Sequence, residues 1–314
     1  MNIHSHDRKR DSLWFFRAAP FDMSYLKRLL SRCSPAKSAS AKIPRRTVHF
    51  ALDEGIARYW YRDWPHVTRF FDGLSIMFPL GEKLFIESVV HFRQEIETDH
   101  ALSTAVTAFV YQEASHIREH RRYNQRLAEQ GAPIDALEKL LLRRQEVGNR
   151  FTPATRLAMT ASLEHFTAIL SDQLLRNPAV LKGADSRMAM LWRWHAIEET
   201  EHKAVAYDVL CLVVRHPLWR YLMRCGVMLT MTAYFAFDVM YFIYQLAAHD
   251  GQRGNWRGWL RLQWWLFVNP GPLTRAFPRW LAWFAPGFHP NHLDNGEALE
   301  AARRTLDDDA GPAP

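Results

Sequence analysis

The chain has 314 residues, enough for one large core or for one domain with an appendage, and with 48% of them apolar disorder is excluded except at the ends. The formal charge of +7 raises nucleic acid, but the basic residues sit in the N-terminal segment and among tryptophans near the C-terminus, with no nucleic-acid module. An anionic membrane surface accounts for that distribution at least as well. Cys33, Cys211 and Cys225 show no paired spacing, so no disulfide framework is expected, and the opening MNIHSHDRKR followed by SLWFFRAAPFDM has no signal-peptide cleavage site. The expectation is a cytoplasmic protein, touching the inner face of the membrane at most peripherally.

Residues 1–46 read as a basic flexible tail, ending in the Ser-, Ala- and Pro-rich SRCSPAKSASAKIPRR. Aromatics crowd Val48 to Pro79, where Pro65 and Pro79 act as breaks and one or two short crossing helices are expected. Gly81 then precedes a helix over Glu82 to Thr98 that carries Glu87, and Asp99 is placed to cap the next. In that second helix Leu102, Val106, Phe109, Glu113, His116 and His120 follow at steps of four and three, one continuous inward stripe. Its first half is apolar and its second half consists only of side chains able to bind metal. Gly131 and Pro133 end the helix, and Ile134 to Val147 forms a short amphipathic helix in the crossover. A third long helix, Pro153 to Arg176, carries Glu164 on an otherwise small or apolar stripe. The fourth, Ser186 to Val214, has Met188, Leu191, His195, Glu199, His202, Ala206 and Val209 facing inward. Beyond Pro217 an apolar run is interrupted by Arg224 and Asp238, a marginal membrane span against the need for about twenty apolar residues. Tryptophans interleaved with arginines follow to Trp283, as in an interfacial segment or a helical cap. The last residues turn acidic and are expected to fray. The domain reading is a tail over 1–46, a helical bundle over 47–215, an aromatic and basic extension over 216–292 and an acidic tail over 293–314.

Two stretches repeat one chemical idea. In Glu113-Ala-Ser-His116 and Glu199-Thr-Glu-His202 a carboxylate and an imidazole stand three residues apart, on one face of a helix, and each pair is preceded by a lone glutamate on the helix before it, Glu87 and Glu164. That order is the ligand set of four-helix carboxylate bundles holding two metal ions. A third Glu-x-x-His match, Glu97 and His100, straddles a helix junction and is set aside as chance. Glu113 and Glu199 are the bridging ligands expected, Glu87, Glu164, His116 and His202 the terminal ones. His120 and His195, one turn away on either side, could ligate, orient ligands or shuttle protons, and are taken as the catalytic candidates. Glu198, Glu201 and His165 point roughly 100° off the stripe and read as surface or packing residues.

The stretches FPLGEKLFIESV, FVYQEASHIREHRRYN, LEHFTAIL, WHAIEETEHKAVAYDV and PGFHP resemble the predicted metal-dependent hydrolase family of bacterial proteins, over residues 47 to 292. The resemblance implies a ferritin-like helical core with metal held through Glu87, Glu113, His116, His120, Glu164, His195, Glu199 and His202.

The expected fold is therefore all-α, a ferritin-like four-helix bundle with an aromatic-rich helical extension. The donor set points first to two divalent ions, iron before manganese or zinc, in an oxygen-activating oxidoreductase with an apolar substrate and an electron donor. Hydrolysis by a metal-activated water is the alternative, and metal or oxygen handling without catalysis a third reading. No P-loop, dinucleotide fingerprint or Ser-His-Asp arrangement is present.

Overall fold

The computed structural model describes residues 43–52 and 55–310; the basic N-terminal segment falls outside them apart from residues 43–46. In chain order the helices are α1 (Pro65–Val90), α2 (Arg93–Ile96), α3 (His100–Glu129), α4 (Ile134–Gly148), α5 (Pro153–Arg176), α6 (Ser186–His202), α7 (Val205–Val213), α8 (Pro217–His249), α9 (Trp256–Phe267), α10 (Pro272–Ala282) and α11 (Gly296–Ala310). The described residues contain no strand, only an isolated bridge between Tyr61 and Ala184, so the chain is all-α as expected. Helices α1, α3, α5 and α6 make the bundle, joined by short, long and short connections, the spacing of ferritin-like folds.

Local chemistry fixes the starts. Asp99 accepts hydrogen bonds from the backbone N–H of Ala101 and Leu102, each 3.0 Å, and caps α3. Thr152 caps α5 with Pro153 in its first turn, and Asp185 caps α6. Three expectations are overturned. Helix α1 starts at Pro65 and runs straight through Pro79 and Gly81, and it ends at Val90 rather than near Thr98. The fourth helix breaks at Lys203 and Ala204, where Lys203 Nζ donates 2.7 Å bonds to Leu293 O and Asn295 Oδ1. The acidic stretch is helical as far as Ala310, with α11 packed on α6 and Leu306 buried, and residues 311–314 lie outside the described residues. Cys225, in α8, keeps a free thiol.

The core is layered along the bundle. One apolar cluster gathers Tyr61, Phe71, Ile76, Tyr123, Leu191 and Trp194, and the other Phe85, Val89, Phe109, Leu157, Val209 and Trp283. Between them, on α1, α3, α5 and α6, lies a buried polar layer. The C-terminal helices are laid against this bundle. Helix α8 packs on α1 and α5, and α9 on α1. The approach of α9 needs glycine, since a Cβ on Gly258 would stand 2.2 Å from His66 Nδ1, and that of α8 is close, with a Cβ on Gly73 3.3 Å from Phe242 Cβ.

Arg69 locks α1 to the end of α8. Its guanidinium is buried, 2.7 Å from Asp72 and 2.7 and 2.8 Å from the two oxygens of Asp250. Asp72 also accepts from Tyr123 Oη at 2.5 Å. Replacing Arg69 by Met leaves buried Asp72 with no cation and Asp250 with only Arg58, and we expect a loss of about 3–5 kcal/mol. Arg93→Ala, which removes an exposed pair with Glu97, should cost no more than about 0.5 kcal/mol. Urea denaturation midpoints of the two variants check this, and equal midpoints would remove Arg69 from its role.

Candidate metal centre

The polar layer is built from seven side chains on four helices. Glu82 comes from α1, Glu113 and His116 from α3, Glu164 from α5, and His195, Glu199 and His202 from α6; none is more than 3% exposed. Six of them bring ligating atoms into two overlapping groups, Glu82, His116, His195 and Glu199 in one and Glu113, Glu199 and His202 in the other, with Glu199 common to both and Glu164 beside the second. Glu199 Oε1 lies 3.2 Å from His195 Nε2 and 3.5 Å from His116 Nδ1, while its Oε2 is 3.6 Å from His202 Nε2. His202 Nε2 is also 3.0 Å from Glu113 Oε1 and 3.5 Å from Glu164 Oε2.

These atoms are buried without compensation. Both oxygens of Glu82, Glu113, Glu164 and Glu199 have no hydrogen-bond partner among the described residues, and neither do His116 Nδ1, His195 Nε2 and His202 Nε2. Burial and then neighbouring carboxylates hold Glu82 and Glu164 well above the usual carboxylate range, and burial lifts Glu113 to about 7. Burial likewise lowers His116 well below the ordinary imidazole value, and His195 beside it adds to the effect. On His202 burial pulls the same way, but the charges of Glu164 and Glu199 outweigh it and raise the imidazole. Orphaned oxygen and nitrogen donors converging in one layer are what divalent cations coordinate, so the donor set fits metal.

The far nitrogen of each imidazole is held, as metal-binding histidines require. His116 Nε2–H donates to Glu198 Oε2 at 3.1 Å, and His202 Nδ1–H donates to Gln112 Oε1 at 2.9 Å. In the neutral imidazole each bond leaves the inward nitrogen with its lone pair. Arg46 ties these supports together: it bonds Glu198 at 3.3 Å and Glu201 at 2.7 Å, and Glu201 takes a further bond from Gln112. Burial pushes Glu198 up to about 8 against the pull of Arg46.

His195 is held by a longer chain that begins at a proline. Pro79 has no N–H, so the Ser75 carbonyl one turn back loses its helical partner, and Asn124 Nδ2 supplies the missing bond at 3.0 Å. That fixes the Asn124 amide, whose Oδ1 accepts from Ser75 Oγ–H at 2.8 Å. Having given its proton, Ser75 Oγ can only accept from His120 Nδ1–H, 2.9 Å away. His120 Nε2 then accepts from His195 Nδ1–H at 3.0 Å, and the lone pair of His195 Nε2 faces the ligand group.

Of the residues expected from sequence, Glu113, His116, Glu164, Glu199 and His202 come together here. His195 brings Nε2 into the same group, and His120 stands one bond behind it as a positioning residue. Glu87 does not join them. It is 51% exposed, beside Lys83 and Arg156, because Glu82 takes the inward position and a residue five places on points about 140° away. The signal was present: Phe71, Ser75, Phe78, Glu82, Phe85 and Val89 repeat the four–three stripe of α3. The side chains of Glu198 and Glu201 are each 1% exposed and support the ligands, contrary to a surface role. His165 is buried as well, but it bonds the Arg279 carbonyl and packs on Trp283, away from the layer.

Glu82→Ala should lower bound metal to half or less, and Glu87→Ala should leave it unchanged, as read by elemental analysis of purified protein. Asn124→Ala cuts the chain behind His195 without touching a ligand, and we expect about 10–100-fold weaker metal binding in a competition titration.

A family model described as predicted metal-dependent hydrolase matches residues 44–294. No curated protein and no solved structure matches the chain. With that match covering the whole bundle and the C-terminal helices laid on it, the chain belongs to the predicted metal-dependent hydrolase family.

Proposed function

We propose that the protein is a dinuclear metal-dependent hydrolase acting on an apolar or lipid-like substrate. The observation that carries this reading is the position of Glu199, whose two oxygens face the two different ligand groups. Four buried carboxylates balance two divalent ions, whereas a single ion would leave buried charge uncompensated. Bound there, such ions supply a Lewis acid and a water of lowered pKa. Mixed carboxylate and imidazole donors suit iron first, then manganese or zinc.

The chain's own groups have separable tasks. Glu198, Gln112 and His120 fix the three imidazoles so that each presents one lone pair inward. Phe78 stacks on His195 with ring centroids 4.6 Å apart and Trp194 stands edge-on to His116 at 4.9 Å, which keeps water from the flanks of the site. An apolar cavity of about 50 Å³ reaches His195 between Phe78, Trp192, Leu174 and Phe235. Phe235 also lines a larger, mostly apolar groove of about 520 Å³ between α1, α4, α5 and α8, so the two spaces share a wall.

Oxidation was the first expectation from the donor set alone. That set serves water activation equally well, and the family assignment favours hydrolysis. Metal-loaded protein should cleave chromogenic esters faster with long acyl chains than with short ones. Glu199→Ala should abolish turnover, and His120→Gln should reduce it about 10–100-fold by loosening His195. Reductant-dependent dioxygen uptake, with no cleavage of any ester, amide or phosphoester, would replace hydrolysis with oxidation.

A further inference from the structure

Helix α8 has two unlike faces. Its inner face carries every charge of the helix: Arg220 bonds the carbonyl of Val214, Arg224 bonds those of Trp283 and Ala285, and Asp238 pairs with Arg144 of α4. Its outer face has no charge at all. Trp219, Leu222, Leu229, Phe237 and Met240 lie along it with Gly226 and Ala233 between them, at steps of three and four. This stripe is about 30 Å long. Among the described residues α8 is the one helix long and apolar enough to cross a membrane, yet a third of its most apolar stretch is buried in the protein.

The neighbouring helices continue the pattern. Trp256, Leu260, Trp264 and Phe267 of α9 follow one another at helical spacing and are 49–62% exposed, and Phe277 and Leu281 of α10 are about half exposed. Residues 251–293 contain five arginines and no aspartate or glutamate. Arg253, Arg257, Arg261 and Arg275 are exposed beside the tryptophans. Exposed apolar area on this scale is an interaction surface rather than ordinary protein exterior. Indole rings bordered by guanidinium groups suit the headgroup level of an anionic bilayer, where the rings bury and each arginine meets a phosphate.

We propose that the outer faces of α8, α9 and α10 dock on one leaflet of an anionic membrane. Docking is peripheral. Helix α8 cannot leave the protein to span a bilayer while Arg224, Asp238 and the inner residues Phe242, Ile243 and Leu246 stay buried against the bundle.

The test is sedimentation of the full chain with vesicles of phosphatidylcholine alone and with vesicles half phosphatidylglycerol. We expect strong binding to the anionic vesicles only, released by an alkaline carbonate wash. Arg257→Gln, Arg261→Gln and Arg275→Gln together should weaken it at least 10-fold, as should Trp219→Ala, Trp256→Ala and Trp264→Ala together. Bound metal and the unfolding midpoint should not change in either triple variant, since all six side chains are exposed. Binding to neither vesicle overturns the proposal. So does a dimer in solution that the tryptophan variant dissociates, because a second copy then covers the face. Resistance to carbonate overturns peripheral docking.

Discussion

Burying four carboxylates in one layer of a helical bundle is the constraint to which the rest of this structure answers. An ionised carboxyl deep in protein is costly unless something of opposite charge compensates it, and Glu82, Glu113, Glu164 and Glu199 have no hydrogen-bond donor among the described residues. Hydrogen bonds elsewhere are arranged around that fact. The imidazoles of the layer spend their outer nitrogens on Glu198, Gln112 and His120, so that no N–H is left to point inward. The apolar clusters above and below supply the folding energy that the layer itself does not, and they hold the four helices at the separation the layer needs.

The two Glu-x-x-His pairs and Glu164 were legible because spacing alone places them: a helix of known period puts residues three or four apart on one face. Glu82 was harder for the same reason. Pro79 and Gly81 read locally as the end of one helix and the start of another, and the choice of start decides which glutamate seems to face inward. Tertiary contacts override that local preference, since Asn124 satisfies the carbonyl that Pro79 leaves free. The sequence feature that argues for a break is thus part of the support behind His195.

Glu198 and Glu201 were misread for a different physical reason. A stripe argument assumes a helix with one buried face and one wet one. Helix α6 is buried almost all round, because the segment carrying Arg46 covers its outer side and α11 packs on it, with Arg303 reaching Glu201 at 2.8 Å. Neither cover has a periodic signal strong enough to announce itself. The pairing of Glu201 with Arg46 and Arg303 joins segments more than a hundred residues apart, and no local pattern encodes that.

The C-terminal helices show the converse. In a soluble helix laid on a bundle, apolar residues face the core and charges face water. Helix α8 has apolar residues on both sides, and it turns its charged groups inward, where each finds a carbonyl or an opposite charge. Its attachment to α1 and α5 is complete without the outer residues, because Met228, Phe242, Ile243 and Leu246 already fill the contact. Trp219 and Leu229 add little to that attachment, and Phe237 meets the bundle only through the Arg144 guanidinium over its ring. Side chains that large, held more than half exposed along a face without a single carboxylate, are what the proposed docking on an anionic membrane would bury.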